Sequence, residues 1–169
     1  MFTQIASYIT KSKIVQQSKT RQKQFLNWEN IFIIALIIDE KEAINKSELD
    51  KFVESLKKYI EVFLVEINSA QASYGDFKCV TKKDKTILGL PKTVFLAEPK
   101  AKKYDLIITV SNKHKLFSAN LISQLSSPFK CGSSDLFGEL DLVIERNESQ
   151  NLIVYLKEVV RYLQMIQVG

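Results

Sequence analysis

The sequence predicts an α/β fold: a single three-layer Rossmann-like domain with a mostly parallel sheet and an N-terminal basic amphipathic helix. Three observations carry this expectation. The runs 31–38 and 104–110 are apolar on both faces at their centres, which only strands covered on two sides tolerate. Strand-like runs alternate with segments of helical period along the chain. With five glycines and three prolines in 169 residues, long irregular linkers have no place.

The elements follow in order. Phe2, Ile5, Tyr8 and Ile9, continued imperfectly by Ile14 and Val15, predict a weakly amphipathic helix over 3–24. Residues 31–38 form the first strand. Ser47 and Asp50 read as a capping box, opening a helix whose face is Leu49, Phe52, Val53, Leu56 and Ile60. A second strand over 62–67 completes a βαβ unit, whose crossover is right-handed as a rule. A short third strand is expected at 77–81, a turn at Leu88-Gly89-Leu90-Pro91, and a short helix from Thr93 that Pro99 stops. The fourth strand is 104–110. A helix bearing Phe117, Leu121 and Leu125 ends before Pro128, short strands follow at 129–131 and 140–144, and a helix over 149–166 closes the chain. The expected strand order is 3-2-1-4-5.

Charge divides the chain. Residues 1–28 hold Lys11, Lys13, Lys19, Arg21 and Lys23, and no acid precedes Glu29. The net charge of +5 therefore resides in this segment, since the remainder carries 19 basic and 19 acidic residues. We divide the chain into a basic N-terminal leader, 1–28, and an α/β domain, 29–169. One electropositive element on a neutral body suits phosphate, an anionic membrane or an acidic protein face. Lysines interrupt any apolar core a secretory signal would need, and the longest apolar run, eight residues, falls short of the roughly 20 a membrane helix requires. Cys79 and Cys131 are isolated and expected to be buried thiols, which fits a reducing cytoplasm.

The stretch Arg21-Gln22-Lys23-Gln24-Phe25-Leu26-Asn27-Trp28 before an apolar strand, then Leu88-Gly89-Leu90-Pro91-Lys92, Tyr104-Asp105-Leu106-Ile107-Ile108 and Lys130-Cys131-Gly132, resembles an uncharacterised family of small bacterial α/β proteins. The resemblance covers nearly the whole chain and implies a fold and a cytoplasmic bacterial setting, but no reaction. The Tyr104–Ile108 pattern with its following helix and glycine-ended strand is also similar to the N-terminal half of heptosyltransferase-type glycosyltransferases. That likeness implies shared architecture rather than a complete enzyme.

Catalytic constellations are scarce. After the first strand the chain reads Asp39-Glu40-Lys41-Glu42, without the glycines that let backbone approach a pyrophosphate and with carboxylates that would repel one. His114, Cys79 and Cys131 make an improbable metal set, so neither metal nor cofactor is expected. The fold itself points to one ligand site, the switch point between strands one and four, where Asp39 and Glu40 would face Ser111 and Asn112 beside Lys113. Such residues also cap strands routinely. The leader offers Lys11, Lys13, Lys19, Arg21 and Lys23 as phosphate or partner contacts, with Tyr8 for stacking; Lys100, Lys102, Lys103, Lys113 and Lys115 would enlarge the patch if the fold brings them alongside. Three functions stay open. The first is a non-enzymatic module docking through the leader on RNA, such as a ribosomal particle, or on an acidic protein. The others are a small-molecule-binding protein or degenerate glycosyltransferase-like enzyme using the strand-end crevice, and a peripheral membrane protein.

Overall fold

Residues 33–39 lie in the middle of a six-stranded parallel sheet, the position that their apolar character on both faces demands. This computed structural model describes residues 1–39, 44–65, 75–111, 115–147 and 149–167. Along it run α1 (Phe2–Thr20), β1 (Ile33–Asp39), α2 (Lys46–Ser55), β2 (Tyr59–Val65), β3 (Lys78–Val80), α3 (Thr93–Ala101), β4 (Leu106–Ser111), α4 (Leu116–Gln124), β5 (Phe129–Gly132), β6 (Leu142–Val143) and α5 (Leu152–Met165). The sheet order is β3-β2-β1-β4-β5-β6, so the expected order holds and β6 extends it beyond β5. β1 lies between β2 and β4, with Leu36 opposite Val62 on one side and Ile108 on the other.

Alternation along the strands builds two cores. Ile34, Leu36 and Ile38 pack with Leu49 and Phe52 of α2 and Leu156 and Val159 of α5. Ala35 and Ile37 face the other way, onto Leu96 of α3 and Leu121 and Ile122 of α4. The domain has three layers. Leu36 and Ile108, each 2% exposed, are paired neighbours in the first core. Leu36→Ala and Ile108→Ala should each cost about 2–5 kcal/mol in urea unfolding, through the cavities they leave. The double variant should depart from the sum, because the two cavities adjoin.

Several elements differ from expectation for identifiable reasons. α2 is capped by Asn45, whose side-chain oxygen accepts from the Glu48 N–H, and not by Ser47. Ile60 belongs to β2: Lys57 adopts φ 52, a left-handed turn that ends the helical segment before Ile60 can join its face. Pro99 sits inside α3 rather than stopping it; it removes the N–H that would bond the Phe95 carbonyl, and the helix ends two residues later at Ala101. Cys131 is buried, but Cys79 is exposed on the edge strand β3. The C-terminal helix begins at Leu152, where the Asn151 side chain accepts from the N–H groups of Ile153 and Val154.

The largest difference concerns α1. It ends at Thr20, and the chain then runs extended along the body, with the Gln24 N–H donating to the Pro128 carbonyl at 3.1 Å. Its buried residues are Ala6, Thr10 and Ile14, packed on α4, while Phe2, Ile5, Tyr8 and Val15 are exposed. Small residues four apart admit a close helix contact, and Asn120 of α4 donates to Thr10 Oγ1 at 3.0 Å. Of the apolar residues that predict the helix, Phe2, Ile5, Tyr8 and Val15 thus face solvent, while Ile14 faces α4.

Candidate functional site

The strand-end crevice forms where the sheet order reverses, with Asp39 and Ser111 paired across β1 and β4. Asp39 is fully buried. Its carboxylate accepts from Lys115 Nζ at 2.7 Å and from the Ser118 hydroxyl, both at the start of α4. The Ser111 N–H donates to Ser133 Oγ at 2.8 Å, and that hydroxyl donates back to the Ser111 carbonyl at 2.9 Å. Glu40, Asn112, Lys113 and His114 lie outside the described residues. Next to Thr109, Ser118 and Glu139 is a cavity of about 10 Å³, room for one water at most. The Thr109 hydroxyl is buried beside it without a hydrogen-bond partner among the described residues. The hydrogen bonds of Asp39 and Ser111 tie the described residues of the crevice to one another.

The leader's cations divide into two groups. Arg21 and Lys23 share Asp141: Arg21 turns inward and makes a two-pronged pair, Nη1 to Oδ2 at 2.6 Å and Nη2 to Oδ1 at 2.5 Å, and Lys23, its side chain exposed, reaches the same carboxylate with Nζ at 3.0 Å. Burial opposes the charge on Asp141, but Arg21, Lys23 and the Lys130 N–H outweigh it and hold the carboxyl below its ordinary range. Lys11 and Lys19 are exposed on α1.

Lys13 belongs to the second group. It lines a groove of about 320 Å³ with Lys100, whose other walls are Gln16, Gln17 and Thr20 of α1 and Gln124 of α4. No carboxylate pairs with Lys13 or Lys100 among the described residues. Partial burial and then the Lys100 charge pull Lys13 below the usual lysine range, the signature of a cation held without a counter-ion. Because Thr10 meets Asn120 and Gln17 meets Leu125, α1 and α4 run parallel. The groove therefore opens beside the end of α4, at the edge of the sheet opposite Asp39. Of the lysines named as extensions of the leader's patch, Lys100 is brought alongside. Lys102 is held by Glu61 and Glu98, and Lys115 by Asp39.

Three buried groups escaped the sequence reading. Lys130 is fully buried in β5, and its Nζ donates to Gln17 Oε1 and to the Ile122 carbonyl, both at 2.6 Å. A lysine between Phe129 and Cys131 in a short strand is a signal that sequence alone carries. Asp141 and Glu61 gave none, since their partners are far along the chain. Glu61, 6% exposed, accepts from Lys78, Lys102 and the Tyr104 hydroxyl and so ties β3 and α3 to β2.

A parallel sheet with helices on both faces and an order reversal beside β1 defines a Rossmann-like α/β protein. Within that class the chain belongs to a family of unknown function (DUF6913), matched over residues 3–166, so that α1 is part of the family's unit. No curated protein and no solved structure matches the chain, and nothing in these comparisons shows the glycosyltransferase likeness. No helix among the described residues is long and apolar enough to cross a membrane.

Proposed function

We propose that this protein is a non-enzymatic binding module of the bacterial cytoplasm that docks single-stranded RNA along α1. One observation carries the reading: Lys13 and Lys100 share a polar groove with no carboxylate pairing either among the described residues, where their mutual repulsion is relieved only by an anion. The Gln16 amide on the groove wall is a donor suited to phosphate and sugar oxygens, exposed Lys11 and Lys19 add charge along the helix, and Tyr8, 77% exposed, offers a stacking face. This contact set replaces Arg21 and Lys23, which are committed to Asp141, with Lys100. Binding of this kind is phosphate-dominated and indifferent to sequence.

The wild-type protein should bind oligouridylate and oligoadenylate with similar affinity. The slope of log K against log salt should be about −3, as four phosphates neutralised on a single strand require. A salt-sensitive complex with polyglutamate but not with either RNA would replace RNA by an acidic protein as the partner. One observation favours a second reading, an interfacial membrane helix: Met1, Phe2, Ile5 and Tyr8 are all exposed near lysines. Under that reading the protein sediments with anionic vesicles, and Phe2→Ser with Ile5→Ser abolishes it. Under ours the same pair of substitutions leaves RNA binding intact.

A further inference from the structure

Behind the groove lies a charge that the docking surface itself does not expose. Gln17 forms part of the groove wall, and its amide is fixed at both ends: Nε2 donates to the Leu125 carbonyl at 2.8 Å, and Oε1 accepts from Lys130 Nζ at 2.6 Å. The second acceptor of Lys130 is the Ile122 carbonyl, so both of its partners are neutral. The nearby carboxylate, Asp141, is already engaged by Arg21 and Lys23. A fully buried ammonium one hydrogen bond behind an anion-seeking groove feels the field of whatever occupies that groove.

We propose that docking of a phosphate chain in the Lys13–Lys100 groove is coupled through Gln17 to protonation of Lys130, so that binding takes up a proton. The coupling rests on the docking reading and adds its regulation. Burial first, and the Arg21 charge second, pull Lys130 down to about 7, while Asp141 and Glu139 act in the opposite direction. Glu139 is itself raised, by its burial first and then by its hydrogen bond with Asp135. α4 contributes the Ile122 carbonyl, α1 contributes Gln17, and Arg21 stands just beyond the end of α1.

The sign follows from linkage. A bound anion favours the charged lysine, so the bound-state value lies above the free one. Affinity then rises as pH falls through the bound-state value and levels off below about 7. Each unit of separation is about a tenfold change in affinity.

The test is oligouridylate binding at fixed low salt between about pH 6 and pH 9, a probe whose diester charges do not titrate in that window. Wild-type protein should bind about tenfold more tightly at the acid end. Lys130→Met should bind with a flat profile, and His114→Gln should keep the wild-type profile. Should Lys130→Met fail to fold, NMR titration of the Lys130 side chain in wild-type protein decides: its midpoint must move up when the protein is saturated with oligonucleotide. Parallel profiles in wild type and Lys130→Met, loss of the profile in His114→Gln, or an unmoved Lys130 midpoint overturn the coupling while docking stands. Absence of binding at every pH overturns the docking reading and the coupling with it.

Discussion

Asp141→Ala should remove about 3–5 kcal/mol of stability, because it leaves the buried Arg21 guanidinium without its partner. The Asp141 side chain is 5% exposed and that of Arg21 10%, so water does not replace the lost bonds. The same carboxylate accepts from Lys23 and from the Lys130 N–H, and one substitution therefore unfastens the end of α1 from β5. Urea unfolding of wild type and variant at neutral pH measures the difference. Its pH dependence is fixed in sign. The folded-state carboxyl lies below the ordinary 3.8, so its contribution is present above that value and is lost as pH falls through the depressed one. The two proteins should converge in stability in acid. A difference that persists there would mean that Asp141 acts by packing and not by charge.

Gly132→Ala should be comparably severe. A Cβ at this position would meet Thr109 Cγ2 at 2.2 Å and the Thr109 carbonyl oxygen at 2.4 Å, and Thr109 is the residue paired with Gly132 across β4 and β5. No rotamer relieves a clash with backbone, so the strands must part; the expected loss is about 3 kcal/mol or more. Thr109→Ser removes the methyl and leaves the carbonyl. Combined with Gly132→Ala it should recover only part of the loss, which separates a backbone clash from a side-chain one.

The sequence made the sheet legible because its signals are local. Residues 31–38 announce a covered strand without reference to anything else in the chain, and Ser111 can be assigned to a strand end by position alone. Helix boundaries were less legible where one residue's backbone decides. Ile60 continues the Leu56 face in the helical pattern, yet the left-handed turn at Lys57 sends it into β2. The packing face of α1 was not legible for a physical reason: beside Ile14 it runs through Ala6 and Thr10, which carry little hydrophobic signal, while the strongly apolar Phe2 and Ile5 remain outside.

The candidate site was legible as a charged segment and not as a set of contacts. All five leader cations look equivalent in the chain. What separates them is Asp141, 120 residues beyond Arg21, and Lys100, which becomes a neighbour of Lys13 only when α1 lies along α4. Such pairings depend on tertiary structure alone. Lys130 stood in plain view between two apolar residues of a strand, but its meaning comes from Gln17 above it.

The most direct test of the account is the salt dependence of oligouridylate binding by Lys13→Gln/Lys100→Gln, measured beside the charge-matched control Lys82→Gln/Lys83→Gln. Lys82 and Lys83 are exposed on the short turn after β3, so the control changes net charge equally without touching the groove. Loss of two phosphate contacts should flatten the slope of log K against log salt by about 1.4 in the groove variant and leave it unchanged in the control. Equal slopes in the two variants would contradict the account, since the attraction would then belong to net charge and the groove between α1 and α4 would hold no phosphate.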